Sequence, residues 1–260
     1  MHKRQDGSAG RLAGRRILIT GGARGQGANH AKAMAKEGGR VLIGDIDGDA
    51  AHLTAGALRG DGLDVHAVRL DVAHPKSWDA CMAVCAERLG GLDVLINNAG
   101  IFPASPLMEC SLDEWEKVVS VNQTGPFIGI QKAVPLMRGT GVGSIINIIS
   151  VAGVLATEIA VAYAVSKAAL LMLTRTAALS LAPDIRVNAI TPGIIDTDMM
   201  RQLDPERLKV RLAAYPMRRA GTVDEVSEAA IYLASDASSY TTGAELRVDG
   251  GATAGIRAKS

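Results

Sequence analysis

Aromatic residues are scarce in this chain: its 260 residues include two Phe, two Trp and four Tyr. So few rings exclude an aromatic-rich sandwich core. The Ala, Gly, Val, Leu and Ile that dominate instead favour helices packed tightly on a sheet. Cysteine is equally rare, at Cys81, Cys85 and Cys110. Cys81 and Cys85 stand one helical turn apart with no His cluster beside them. They are expected to be inert helix residues of a reduced, cytosolic protein rather than metal ligands. An excess of one charge is also missing, with 28 Lys and Arg against 27 Asp and Glu. No basic block follows the opening residues, which removes the electrostatic case for nucleic acid. No run approaches the roughly 18 apolar residues of a membrane span. The opening MHKRQDGSAGRLAGR lacks the apolar core of a signal peptide, and residues 1–12 are expected to form a mobile tail.

What is present is a regular alternation. Short apolar runs at 16–20, 40–44, 64–70, 93–96, 144–149, 185–190 and 245–248 read as strands. Helical patterns lie between them: 28–37, 49–59, 75–89, a long stretch from Ser111 to Met137, the segment from Tyr163 to Leu181, and 223–234. Pro126 and Pro135 warn of a kink or break in the Ser111–Met137 stretch. Without an internal repeat or a low-complexity linker, residues 13–260 read as one domain. The expected fold is α/β: a doubly wound, Rossmann-type parallel sheet of about seven strands with helices on both faces. The segment 193–220 is Met- and Leu-rich, with Pro205 and Pro216 as breaks. It reads either as a mobile lid over an apolar substrate or as an ordinary surface helix pair.

Two places on this framework suggest chemistry. TGGARGQG, Thr20 to Gly27, joins the first strand to the first helix. Glycines there let backbone amides approach a pyrophosphate, and the helix N-terminus attracts its charge. Asp45 ends the second strand about 20 residues after the glycine turn, where an adenosine ribose is held. A carboxylate there accepts from two ribose hydroxyls and repels a 2′-phosphate, which points to NAD over NADP, although Arg24 offers a cation to such a phosphate. A helix N-cap is the plainer reading of Asp45, and Asp47 or Asp49 would serve as well. The second place is SVAGVLATEIAVAYAVSK, Ser150 to Lys167. Ser150 lies at the carboxyl end of a buried strand, where open α/β sheets bind ligands. Tyr163 and Lys167, four residues apart, share a helix face. A phenol has a reference pKa of about 10, and a nearby ammonium is expected to lower it. Tyr163 would then exchange a proton with an alcohol or carbonyl whose oxygen Ser150 holds.

TGGARGQG, the strand end at Asp45, Asp71, NNAG (Asn97 to Gly100), Asn122, Ser150, YAVSK (Tyr163 to Lys167) and TPG with Thr197 occur in this order at characteristic spacing. Together they resemble the short-chain dehydrogenase/reductase family over about residues 12–255. The segments GGARGQGANHAKAMAKEGGRVLIGDI and YLASDASSYTTGAELRVDGG are similar to the family's bacterial NAD-dependent 3α(or 20β)-hydroxysteroid dehydrogenases. The resemblance implies hydride transfer between NAD and a secondary alcohol or ketone on a bulky apolar molecule. Tyr163 would be the general acid/base, Lys167 would lower its pKa and hold the nicotinamide ribose, and Ser150 would orient the substrate oxygen. Asn122 would anchor a water that relays protons from Lys167. Gly21, Arg24, Gly25, Gln26 and Gly27 would follow the pyrophosphate. Asp45 and Ile46 would meet the adenosine ribose, and Asp71 and Val72 the adenine. Asn98, Ala99 and Gly100 would pass along the cofactor. Pro192, Gly193, Ile195 and Thr197 would border the nicotinamide. The resemblance also implies a homotetramer, with the Ser111–Met137 and Tyr163–Leu181 helices between subunits.

The chain departs from the family pattern at Gln26, which replaces a small aliphatic residue and raises the question of whether NAD exchanges freely. It departs again at Ile148 to Val151, IISV, where a second Ser is usual. Two rivals remain: a 3-oxoacyl-thioester reductase of the same fold, which would use NADPH, and a non-catalytic protein that senses dinucleotides.

Overall fold

A computed structural model describes residues 10–197, 200 and 205–255. Seven strands form one sheet: β1 (Arg16–Thr20), β2 (Arg40–Asp45), β3 (Val65–Arg69), β4 (Val94–Asn97), β5 (Gly143–Ile148), β6 (Ile185–Pro192) and β7 (Glu245–Val248). All adjacent pairs are parallel, in the order β3-β2-β1-β4-β5-β6-β7. Strand order reverses between β1 and β4, which opens a crevice at their carboxyl ends.

The strands are buried on both faces, and their side chains sort by parity. Ile17, Ile19, Val41, Ile43, Val94, Ile96, Ile146 and Ile148 point to one core. That core is covered by α1 (Gly25–Lys36), α2 (Gly48–Gly60) and the late helix Val223–Ala234. Leu18, Leu42, Leu95, Ile145 and Val187 point to the other. It is covered by α3 (Pro75–Val84), α5 (Gly125–Met137) and α6 (Val161–Leu181). A short α4 (Leu112–Val119) packs on α6; α7 (Pro205–Ala214) and α8 (Val223–Ala234) complete the order. The thiols of Cys81 and Cys85 are fully buried on α3 and the turn after it. By length and composition α6, with 21 residues and a mean hydropathy of 1.3, would suffice to cross a membrane. Here it lies along β6 and carries Tyr163 and Lys167.

The fold bears on four of these expectations. Of the expected tail, residues 1–9 lie outside the described residues, but Gly10 to Leu12 belong to the body. Leu12 is fully buried, its N–H donates to the Glu37 carbonyl, and Arg11 pairs with Glu37 and Glu228. The Ser111–Met137 helix is interrupted by a π-turn at Ser120–Thr124, which ends just before Pro126 in the first turn of α5. Pro135 is accommodated inside α5. The helix opened by Pro75 likewise ends in a π-turn, Cys85–Leu89. Of the expected 193–220 lid, residues 198, 199 and 201–204 lie outside the described residues; the rest includes α7.

Candidate active site

The glycine turn is built for close backbone approach. Gly21 and Gly25 adopt φ of +66° and +55°, which other residues reach at a cost. A Cβ at Gly27 would overlap the Gly21 carbonyl oxygen, whereas one at Gly25 would meet open space. Gln26 is half-buried in the first turn of α1. Thr20, which the motif reading passed over, ties this turn to NNAG: its Oγ1 accepts from the N–H groups of Asn98 and Ala99, both at 3.0 Å. The Asn98 amide donates back to the carbonyls of Thr20 and Gly21 at 2.9 and 3.1 Å. Asn98 therefore shapes the crevice floor and has no side-chain donor left over for a ligand.

At the end of β2, Asp45 accepts from the N–H groups of Ala23 (3.0 Å) and Asp47 (3.1 Å). The N-cap of α2 is Asp47, whose Oδ1 accepts from Ala50, so Asp45 is not needed as a cap. Arg24 pairs with Asp47 at 2.7 Å. Ile46 beside them is 60% exposed and offers an apolar surface to a flat base. Asp71 accepts from the Ala73 N–H. The Val72 side chain is buried against Gly125, and its carbonyl accepts from the Trp78 indole, so neither is free for a ligand.

Across the switch point lies the second cluster. Ser150, two residues past β5, caps a short 3₁₀ turn, Val151–Gly153, by accepting from the Ala152 N–H. Gly153, another residue the motifs did not flag, lets that turn lie on α6: a Cβ there would come within 2.9 Å of the Lys167 backbone and Cβ. This close packing brings the Ser150 hydroxyl to the side of the site where the Tyr163 phenol lies, near enough to act on its titration. Lys167 is buried, donates from Nζ to the Ile148 carbonyl at 2.8 Å, and stands 5.7 Å from the Tyr163 ring centre. The π-turn presents Asn122 to the same place, as such turns often do at functional sites. Its Oδ1 accepts from the Ile101 N–H (2.8 Å), and its Nδ2 donates to the Ile101 carbonyl (2.9 Å) and to Ser166. A Cβ on Gly100 would be 3.3 Å from Asn122 Oδ1 and 3.5 Å from Lys167 Nζ. Gly100 thus brings the NNAG backbone up to both side chains.

The electrostatics correct one expectation. Tyr163 is raised above its ordinary value: burial is the larger effect, and the Ser150 hydroxyl only partly opposes it. The Lys167 ammonium, meanwhile, donates to the Ile148 carbonyl. Burial brings Lys167 itself down to about 8, so it is still mainly charged at neutral pH. The Ile195 side chain joins the core, leaving only its backbone for a ligand. Pro192 ends β6, Gly193 passes against Asp249 and Tyr215, and the Thr197 hydroxyl turns to the Ile195 carbonyl.

A family model described as "Enoyl-(Acyl carrier protein) reductase" matches residues 21–253. The 3-alpha-(or 20-beta)-hydroxysteroid dehydrogenase of Mycobacterium tuberculosis is 42% identical, over 95% of this chain and 93% of that protein. The chain belongs to the short-chain dehydrogenase/reductase family. Another relative, the 2,5-dichloro-2,5-cyclohexadiene-1,4-diol dehydrogenase LinX of Sphingobium indicum, is 40% identical over 95% of this chain and 100% of its own length. The crystal structure of gox2181 superposes with a TM-score of 0.91 at 34% identity, covering 94% of this chain and 98% of that one. Membership of the short-chain dehydrogenase/reductases makes the chain an oxidoreductase that works with a nicotinamide dinucleotide on a small molecule.

Proposed function

We propose that the enzyme interconverts a secondary alcohol and its ketone on a bulky apolar, ring-bearing molecule such as a hydroxysteroid, using NAD. The observation that carries this reading is the convergence of Ser150, Tyr163 and Lys167, with Asn122 behind them, at the sheet's switch point. Both relatives named above act, by their names, on hydroxyl groups carried by rings. The residues present fit a dinucleotide: an open cradle at Gly25, Asp45 at the ribose position and exposed Ile46 for the base. NAD is favoured because Asp45 would repel a 2′-phosphate and Arg24 is already engaged by Asp47. When bound, the nicotinamide supplies the hydride chemistry and, in its oxidised form, a positive charge.

The chain's own residues do the rest. Ser150 Oγ donates to the substrate oxygen. In ketone reduction the Tyr163 phenol gives its proton to that oxygen; in alcohol oxidation the phenolate takes it back. Lys167 provides the charge that favours the phenolate and a donor for the nicotinamide ribose. Asn122 fixes the Gly100–Ile101 backbone beside Lys167, where a water bound to it would relay protons. Burial keeps Tyr163 protonated in the free protein, so oxidation should speed up as pH rises and reduction should not. Free thiols and near-neutral charge are consistent with the cytoplasm as its compartment.

The test follows reduced-nicotinamide absorbance with NAD and with NADP over a panel of steroid and simple alicyclic alcohols. Turnover with NAD should fall by about 10²- to 10⁴-fold in Tyr163→Phe, the range for a lost general acid/base. Turnover with NADP alone would overturn the weight given to Asp45 and favour the 3-oxoacyl-thioester reductase. Silence with both cofactors, in protein that retains tightly bound NAD, would point to the non-exchanging state that Gln26 raises. Activity unchanged in Tyr163→Phe would show that another group handles the proton, and dinucleotide binding with no turnover in the unaltered protein would leave a sensing role.

A further inference from the structure

The catalytic helix α6 begins without a side-chain cap. Its N-cap is Ala160, whose side chain has no acceptor, and the first N–H groups of a helix need one from elsewhere. The Val161 N–H finds it in the backbone carbonyl of Ser105 at 3.2 Å. Ser105 belongs to the loop between β4 and α4. The same loop carries Phe102, whose ring meets the Tyr163 ring edge-on, with centres 4.8 Å apart and planes at 86°. The loop is therefore in contact with the catalytic tyrosine's ring and with the start of its helix, two residues before Tyr163.

Two anchors hold this loop. At its start, Asn122 takes both backbone groups of Ile101. At its far side, the Ser105 hydroxyl donates to Glu114 Oε2 at 2.9 Å. Glu114 is the third residue of α4, and its own N–H is fixed by the Ser111 cap. It does not reach back to the Ser111 backbone, the usual partner of a Glu at that position, and spends its carboxylate on Ser105 instead. The other oxygen, Oε1, is buried and makes no hydrogen bond of good geometry, with the Cys110 thiol acting on the same carboxylate. The bond to Ser105 is thus the side-chain hydrogen bond this carboxylate makes.

We propose that Glu114 is a positioning residue: through the Ser105 hydroxyl it holds the loop whose carbonyl caps the catalytic helix and whose Phe102 ring closes on Tyr163. The proposal rests on the reading of Tyr163 as the proton-handling group. Glu114 lies away from Asp45 and the glycine turn, so its influence falls on the alcohol side of the site. Glu114→Gln keeps an acceptor for Ser105, Glu114→Ala removes it, and Ser105→Ala removes the donor.

The experiment measures steady-state kinetics, NAD affinity and amide hydrogen exchange in the three variants. Glu114→Ala and Ser105→Ala should each lower kcat/KM for the alcohol by about tenfold, the scale of one net hydrogen bond. NAD affinity should be unchanged, and Glu114→Gln should recover most of the loss. Exchange should accelerate in the loop and at Val161–Tyr163 and stay as it was in α1 and β2. Exchange at Val161 unchanged in both Ala variants would overturn the proposal. So would Glu114→Gln behaving like Glu114→Ala, or a parallel fall in NAD affinity, which would mark a general structural loss. The exchange readout needs no substrate: if no alcohol turns over in the unaltered protein, the functional reading fails while the loop is still judged. If Glu114→Ala does not fold, Ser105→Ala, a smaller change, decides.

Discussion

Asp45 can do what the family resemblance asks of it because its neighbours relieve it of other work. Asp47 caps α2 and also holds Arg24, while Asp45 organises the glycine turn through the Ala23 N–H. Replacing the carboxylate by an amide leaves one acceptor oxygen, so it weakens ribose acceptance and removes phosphate repulsion. Asp45→Asn is expected to lower kcat/KM for NAD about tenfold or more, as for a hydrogen bond to a charged group, and to narrow the preference over NADP. Kinetics with the two cofactors in parallel check this; an unchanged ratio would place discrimination elsewhere. Gly153 makes a different point at the same scale. It touches no ligand, yet the approach of Ser150 to Tyr163 depends on its lack of a side chain. Gly153→Val should cut activity sharply through a displaced Ser150, with NAD binding largely kept, as binding titration would report.

At the level of elements, the joint between α1 and α8 carries a titratable group that the proposed chemistry does not use. His30 is fully buried on α1, and its Nδ1 lies 2.7 Å from the Ser227 hydroxyl of α8. Ser227 donates to the Val223 carbonyl, so His30 donates through Nδ1 and its Nε2 is left bare. Asn29 beside it bonds Asp224 and Ser227. Charging Nε2 would bury a cation without a partner, and burial lowers its pKa from 6.5 to about 4. The sign follows from proton counting. Between those two values the unfolded chain binds more protons, so stability is fully present above pH 6.5 and is lost as pH falls toward 4. The full loss is on the order of 3 kcal/mol. Melting temperatures across that window should fall less steeply in His30→Gln than in the unaltered protein; parallel slopes would show that His30 is not the group responsible. Because α1 also carries the glycine turn, acid loosening of this joint should weaken dinucleotide binding as well.

For the whole molecule, α6 presents a second face. Val165, Met172 and Leu179, seven residues apart along the helix, are 44%, 58% and 86% exposed. Such spacing makes one stripe. On α4 and α5, Leu112 and Phe127 are exposed as well. These are the helices that the resemblance places between subunits, and an apolar stripe of this kind is suited to packing against another copy. We propose a homotetramer that uses this face. Met172→Asp, on an exposed position, should leave the fold intact and shift the assembly to smaller species in light scattering. A monomer in the unaltered protein would overturn the proposal.

The order of strands and helices was legible in the sequence because short apolar runs and helical patterns are local properties. The glycine turn, Asp45 and the Tyr163–Lys167 pair were legible because their chemistry depends on residue type at short spacing. Other features depend on contacts between segments far apart in the chain. The break in the Ser111–Met137 helix, near Pro126, takes the form of a π-turn whose Asn122 meets Ile101. Asn98 is occupied by the glycine turn some 77 residues away. Tyr163 is raised rather than lowered because burial outweighs the opposing effect of the Ser150 hydroxyl. Sequence determined which groups are present and on which elements; only tertiary packing decided their partners and their solvation, since hydrogen bonds and desolvation are set by what lies alongside in space.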